Sequence, residues 1–256
     1  MSPELLRPSA RRRPDLIPAF VRAVGAARAS AAAAGRDADL AVFDADGTLW
    51  VNDVADDFTQ WMIAQGRIDG ARWPTYMRIY RDDPPTGCRY LLSFFAGMTL
   101  AQLQASVDDY WSIHPRDWIE EVLQALYHLA DAGLSIWVVS GTPTDFLLPL
   151  QRILPVDQVV GMDFALDSRG QITGEHAGIS CAGTGKAEKL ELLAGERPIR
   201  FCCGNGSLDG PMMELAQVAW SVYPNPAFTE HSRQRGWPIL PRPADFVEEE
   251  KFLLED

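Results

Sequence analysis

The four cysteines of this 256-residue chain, Cys88, Cys181, Cys202 and Cys203, include no CxxC pair. That absence argues against a thiol-based metal knot. Two adjacent cysteines inside an apolar run fit buried thiols in a reducing compartment. Positive charge is also scarce: 23 Lys and Arg stand against 35 Asp and Glu, a formal net charge of −12. A general binder of nucleic acid or of an anionic membrane is therefore not expected. An anionic small substrate stays open, because the field inside a site can oppose the global one. No run of about 18 uncharged apolar residues occurs, so no transmembrane helix is expected. No internal repeat is visible beyond the alanines at 31–34. A cleaved export signal is not the expected reading of the N-terminal segment, though the pattern leaves one open. Asp15, Arg22 and Arg28 interrupt the apolar stretch that follows Arg11–Arg13, and Pro14 and Pro18 frame it. Residues 1–37 read instead as a helical surface extension, with Pro18 in its first turn, on a cytoplasmic protein.

What is present is ordinary globular material, 47% hydrophobic and 23% charged, enough to bury a sizeable core. The length suits one α/β domain, or a core domain carrying a smaller insertion. Five apolar, strand-like runs recur at Leu40–Phe43, Leu134–Val139, Gln158–Val160, Ile199–Cys203 and Val218–Val222. Helical patterns separate most of them. In "RDWIEEVLQALYHLADAG", Trp118, Val122, Leu126 and Leu129 share one face and Gly133 supplies the stop. Strands alternating with helices predict βαβ units and a mostly parallel five-stranded sheet, with ligands collecting at the carboxyl ends of its strands.

Two segments interrupt the alternation. From residue 52 onwards the chain is rich in aromatics and lacks a continuous strand pattern, which predicts a helical cap over 52–130 inserted after the first strand. The core then comprises 38–51 and 131–256. "GMDFALDSRGQITGEHAG" reads as a β-hairpin turning at Asp167–Gly170. The end, "WPILPRPADFVEEEKFLLED", is Pro-rich and then acidic, and reads as a loosely packed surface tail.

The segment with most chemical content is "LAVFDADGTLW", which sets Asp44 and Asp46 where a buried strand should end. Like charges this close need a cation, a proton or hydrogen bonds to offset their repulsion. DxDG could also be a turn or a calcium loop, but the EF-hand pattern with its later Glu is absent. Three more motifs follow in order: "VVSGTP" with Ser140, "GTGKAEK" with Lys186, and "CCGNGSLDGPMM" after the fourth strand. "GTGK" is not a nucleotide P-loop, since Ser180 stands where its first glycine is required and Ala187 follows the lysine.

With these four motifs, from Ala38 to about Phe228, the chain resembles the haloacid dehalogenase superfamily of Mg-dependent, aspartate-nucleophile phosphatases. The resemblance implies a Rossmann-like core and a Mg²⁺ ion held by the Asp44 carboxylate, the Asp46 carbonyl and a third ligand from the fourth motif. It makes Asp44 the nucleophile that forms an aspartyl phosphate. Asp46 becomes the acid for the leaving alcohol and then the base for water. Ser140, Gly141 and neighbouring N–H groups would hold phosphoryl oxygens, with Lys186 neutralising charge in the transition state. One position departs from the pattern. The fourth motif usually begins Gly-Asp and here reads Gly204-Asn205, so the third ligand is either Asn205 or Asp209.

Cap position and hairpin resemble the phosphoserine phosphatase branch, in which an acid shortly after the first motif contacts the substrate amine. Asp53 matches that place. The implied substrate is a small, amine-bearing phosphomonoester of the phosphoserine, phosphocholine or phosphoethanolamine type, with no nucleic-acid or membrane partner. Trp61, Trp73, Tyr76, Tyr80, Phe94, Phe95, Tyr110 and Trp111 could include an aromatic cage, though cap core is the plainer reading. Arg78, Arg81 or Arg89 could pair with a substrate carboxylate. A phosphoryl-transfer mutase and a non-catalytic ligand-binding protein on the same fold are the alternatives.

Overall fold

A computed structural model describes residues 39–243. The helical extension expected over 1–37 and the acidic end beyond residue 243 lie outside the described residues. Strand β1 (Leu40–Phe43) is followed by α1 (Val54–Ala64), α2 (Trp73–Asp82), α3 (Pro84–Leu91), α4 (Leu100–Ile113) and α5 (Glu120–Asp131). The chain then forms β2 (Ser135–Pro143), the short helices α6 (Thr144–Leu147) and α7 (Leu150–Ile153), and the pair β3 (Gln158–Leu166) and β4 (Ile172–Ala177). Next come α8 (Thr184–Ala194), β5 (Ile199–Gly204), α9 (Gly210–Met213), β6 (Val218–Val222), α10 (Pro226–Arg235) and β7 (Ile239–Leu240).

The strands form one sheet in the order β4-β3-β2-β1-β5-β6-β7, parallel throughout except for the β3–β4 pair. Five strands are expected from the apolar runs; seven are present. One addition is the hairpin. β3 runs on past Val160 to Leu166, and β4 pairs back along it, so the hairpin continues the sheet edge. The other lies in the segment read as a loose tail. Ile239 and Leu240 pair with Ser221 and Val222, and Leu240 is buried. Two residues between prolines are too few for any periodicity to register.

β1 lies at the centre, between β2 and β5, and all four of its residues are buried. A strand covered on both faces reads as an unbroken apolar run rather than an alternation. That is why "LAVF" is uniformly hydrophobic. Centrality also makes the end of β1 the most enclosed point of the sheet's carboxyl edge.

The helical insertion is anchored to the core by aromatic rings. Phe58 meets Phe146 at 4.6 Å, Tyr110 at 5.4 Å and Phe95 at 5.9 Å between ring centroids, and Phe146 belongs to α6 of the core. Trp111 donates its indole N–H to the Phe146 carbonyl at 2.9 Å. Most aromatics singled out in the sequence thus form packed core, as their area would favour.

Candidate active site

β2 does not end cleanly. Its register to β3 slips by two residues between Val139↔Val160 and Pro143↔Met162, so Ser140, Gly141 and Thr142 bulge at the strand's carboxyl end. Gly161 makes this possible: a Cβ there would stand 2.2 Å from the Thr142 carbonyl oxygen and 2.6 Å from the Thr144 nitrogen. The bulge carries two hydroxyls to Asp46. Thr142 Oγ1 donates to Asp46 Oδ2 at 2.6 Å, and Ser140 Oγ donates to the same oxygen at 3.4 Å. Asp46 Oδ1 accepts from Trp50 Nε1 at 2.9 Å and from the Val54 N–H at 2.7 Å. Four donors from three elements therefore fix one carboxyl group.

Asp44 is 4% exposed and continues β1, its N–H donating to the Cys203 carbonyl at 3.0 Å. Thr48 Oγ1 donates to its Oδ2 at 2.8 Å, and Lys186 Nζ to its Oδ1 at 2.6 Å. Lys186 projects from the first turn of α8, 3% exposed, and also donates to Asp209 Oδ1 at 2.5 Å. The second oxygen of Asp209 accepts the N–H groups of Asn205 at 2.9 Å and Gly206 at 3.0 Å. Gly204 permits this fold-back, since a Cβ there would lie 2.4 Å from the Asp209 Cβ. The Asn205 side chain rests against Gly47, whose φ of +72° only glycine adopts freely.

These surroundings perturb the acids. Burial first, then the charge of Asp209, raises Asp44 to about 6, against the pull of Lys186. Asp46 is pushed up to about 8 by desolvation and then by the charge of Asp53. Burial alone would lower Lys186, but the carboxylates of Asp209 and Asp44 overcome it and hold the ammonium well above its ordinary value. The two neighbouring carboxyl groups are thus set apart in acidity, Asp46 above Asp44.

The acids, Lys186 and the bulge of β2 border one cleft of about 240 Å³ between the sheet's carboxyl edge and the helical insertion. It gathers the sequence-predicted Asp44, Asp46, Asp53, Ser140, Gly141, Lys186, Asn205 and Asp209. Asp53 is the N-cap of α1, its Oδ1 accepting the Asp56 N–H at 3.0 Å. Of the aromatic-cage candidates only Tyr76 and Tyr80 line the cleft, and Arg78, Arg81 and Arg89 do not. Sequence reasoning missed Thr48, Trp50 and Thr142. Thr48 and Trp50 sit inside the first motif, two and four residues past Asp46. It also missed Arg242, which lines the cleft from beyond β7 and donates Nε to the Tyr223 carbonyl at 3.0 Å.

A family model described as haloacid dehalogenase-like hydrolase matches residues 41–214, more than half of the chain. The chain belongs to that family. Two of the curated relatives that it resembles are phosphatases. A histidinol-phosphatase of Neisseria meningitidis is 21% identical over 217 residues, covering 79% of this chain and 98% of the relative. The phosphoserine phosphatase SerB1 of Mycobacterium tuberculosis is 27% identical over 163 residues, 62% of this chain; the match spans 53%, about half, of that relative's length. A Bordetella pertussis protein of unknown function shares the fold with a TM-score of 0.71 at 18% identity, over 79% of this chain and 97% of the other. A substrate-bound phosphoserine phosphatase shares it at 0.59 and 16% identity, over 86% and 99%.

Haloacid dehalogenase-like phosphatases generally use Mg²⁺. Among the described residues no three His, Cys, Asp or Glu side chains cluster as a metal cage. The donors at hand are of another kind: the Asp44 carboxylate, the Asp46 main-chain carbonyl and the Asn205 amide oxygen, all hard and only one formally charged. Such a set suits Mg²⁺, which keeps several waters and takes few protein ligands. These residues fit the ion. Among the described residues no helix is long and apolar enough to cross a membrane.

Proposed function

We propose that the protein is a Mg²⁺-dependent phosphomonoester hydrolase that works through an aspartyl phosphate on Asp44 and acts on a small, amine-bearing ester. The observation that carries this reading is the meeting in one cleft of Asp44, which faces Lys186, and the Asp46 carboxyl, which four hydrogen bonds hold in place. Bound Mg²⁺ would draw the anionic ester and the anionic nucleophile together.

An Asp44 oxygen attacks phosphorus and the bond to the substrate's ester oxygen breaks. Asp46, held by Trp50, Val54, Thr142 and Ser140, gives its proton to that departing oxygen. The alcohol leaves, and Asp46, now a carboxylate, takes a proton from water as the water attacks phosphorus. Cleavage of the acyl phosphate returns Asp44 and releases inorganic phosphate. Lys186 offsets charge on the transferring group, while Ser140 and the Gly141 main chain bind its oxygens. When Mg²⁺ is bound, Asn205 would supply the third protein oxygen, since the Asp209 carboxylate serves Lys186 on one oxygen and two main-chain N–H groups on the other.

The amine preference rests on Asp53, whose Oδ1 is used by the helix cap while Oδ2 has no hydrogen-bond partner among the described residues. A cytoplasmic setting is supported by the four cysteines, all free and three of them buried. Phosphate release from a panel of phosphomonoesters, with Mg²⁺ added or chelated, tests the proposal. Metal-dependent release supports it. Binding without turnover would point to a non-catalytic protein, and transfer to a second hydroxyl to a mutase.

A further inference from the structure

The wall that the helical insertion contributes to the cleft carries no lysine or arginine. Its chemistry comes from Asp53, Tyr76, Tyr80 and Cys88, with Pro84 and Leu91 filling in. Behind it lies Asp56, 1% exposed, which accepts the Tyr76 hydroxyl. Arginines on the same helices point elsewhere: Arg89 donates to the Thr86 hydroxyl at 2.5 Å, and Arg81 pairs with Asp82 at the surface. Among the described residues two cations line the cleft. Lys186 is held between Asp44 and Asp209, and Arg242 lies on the core side against the Tyr223 carbonyl.

The field at this wall is therefore negative. Beyond the effect of burial, the charges of Asp56 and Asp53 raise the Tyr76 phenol. Cys88 is pushed up to about 12, by burial and then by the charge of Asp53, and stays a neutral thiol.

We infer that the part of the substrate facing this wall carries a cationic nitrogen and no carboxylate, so that the substrate is an amino alcohol phosphate rather than an amino acid phosphate. The inference rests on the phosphatase reading above. An ammonium group can pair with Asp53 and lie near the rings of Tyr76 and Tyr80, whose centroids are 5.9 Å apart. A carboxylate on the same carbon skeleton would face Asp53, with Asp56 buried behind it, and would meet no lysine or arginine on that wall. Like charges desolvated together discriminate strongly.

The test compares kcat/KM of the intact protein with Mg²⁺ for O-phosphoethanolamine, O-phospho-L-serine and p-nitrophenyl phosphate. Phosphoethanolamine is expected to exceed phosphoserine by about tenfold or more. The ratio should narrow in Asp53→Asn, because both compounds keep the amine and only phosphoserine is relieved of repulsion. Asparagine remains a good helix N-cap, so α1 should be preserved. Phosphoserine turnover equal to or above that of phosphoethanolamine overturns the inference while leaving the phosphatase standing. No release from any of the three, p-nitrophenyl phosphate included, overturns the phosphatase reading and the inference with it.

Discussion

Asp209 accepts Lys186 at 2.5 Å on one oxygen while its other oxygen binds the N–H groups of Asn205 and Gly206. A carboxylate so engaged orders its own loop and aims the lysine. Asp209→Asn should lower kcat roughly 10- to 100-fold, the usual loss for an outer partner of a metal site. The Mg²⁺ concentration for half-maximal activity should hardly move. Asn205→Asp should lower that concentration, because a full charge then faces the ion. A large Mg²⁺ shift in Asp209→Asn, with none in Asn205→Asp, would transfer the ligand role to Asp209.

Asp44→Asn should abolish turnover without unfolding the chain, since the amide is nearly isosteric, its oxygen can still accept from Lys186 and its NH2 can donate to the Thr48 hydroxyl. Phosphate release and a thermal melt, run together, check both halves. Beryllium fluoride should form its adduct on Asp44 in the unmodified protein. Turnover near the original rate would remove Asp44 from the mechanism.

For Asp46 the informative variable is the leaving group. Asp46→Asn should lose most activity on alkyl phosphates and much less on aryl phosphates, whose leaving groups need little protonation. Rates on one ester of each kind measure this. Equal losses would indicate that the four hydrogen bonds to Asp46 hold structure rather than a proton donor.

Asp53→Asn should reduce kcat/KM for amine-bearing esters about tenfold, in keeping with a charge-assisted contact of roughly 1.5–3 kcal/mol. A neutral phosphomonoester should be little affected. Measuring both on the same variant separates loss of recognition from damage to the cap of α1.

Gly161→Ala should destabilise the fold by about 1–3 kcal/mol, because its methyl would enter space held by the Thr142 carbonyl. Denaturant midpoints report the loss. Activity should fall as well, since the strain lands on the bulge that brings Ser140 and Thr142 to Asp46.

Most of the core strands and the insertion's helical character were legible because buried parallel strands read as short apolar blocks and helices repeat at their own period. β1, β5 and β6 appear where those blocks lie. β4 and β7 were not legible as part of the sheet. β4 is only half-buried on a sheet edge, and β7 is too short for a pattern. At the site, Asp44 and Asp46 stand out as paired acids at a strand end, whereas Ser140 and Lys186 are marked by the motifs that resemble the family. Thr142 and Trp50 did not, since each looks like ordinary strand or core sequence until the bulge and the first loop turn them onto Asp46. Arg242 was out of reach. Only the pairing of β7 with β6 carries the chain back to the cleft, and that is a long-range event.

The two residues of β7 lie between Pro238 and Pro241, and this strand forms one lateral border of the sheet. A proline offers no N–H to a passing chain, and two residues offer almost no ladder to extend. β6, by contrast, is a five-residue strand that without β7 would present its open side to solvent. Among the described residues the sheet thus closes on a segment that offers a passing strand little to pair with, and the same few residues bring Arg242 to the cleft.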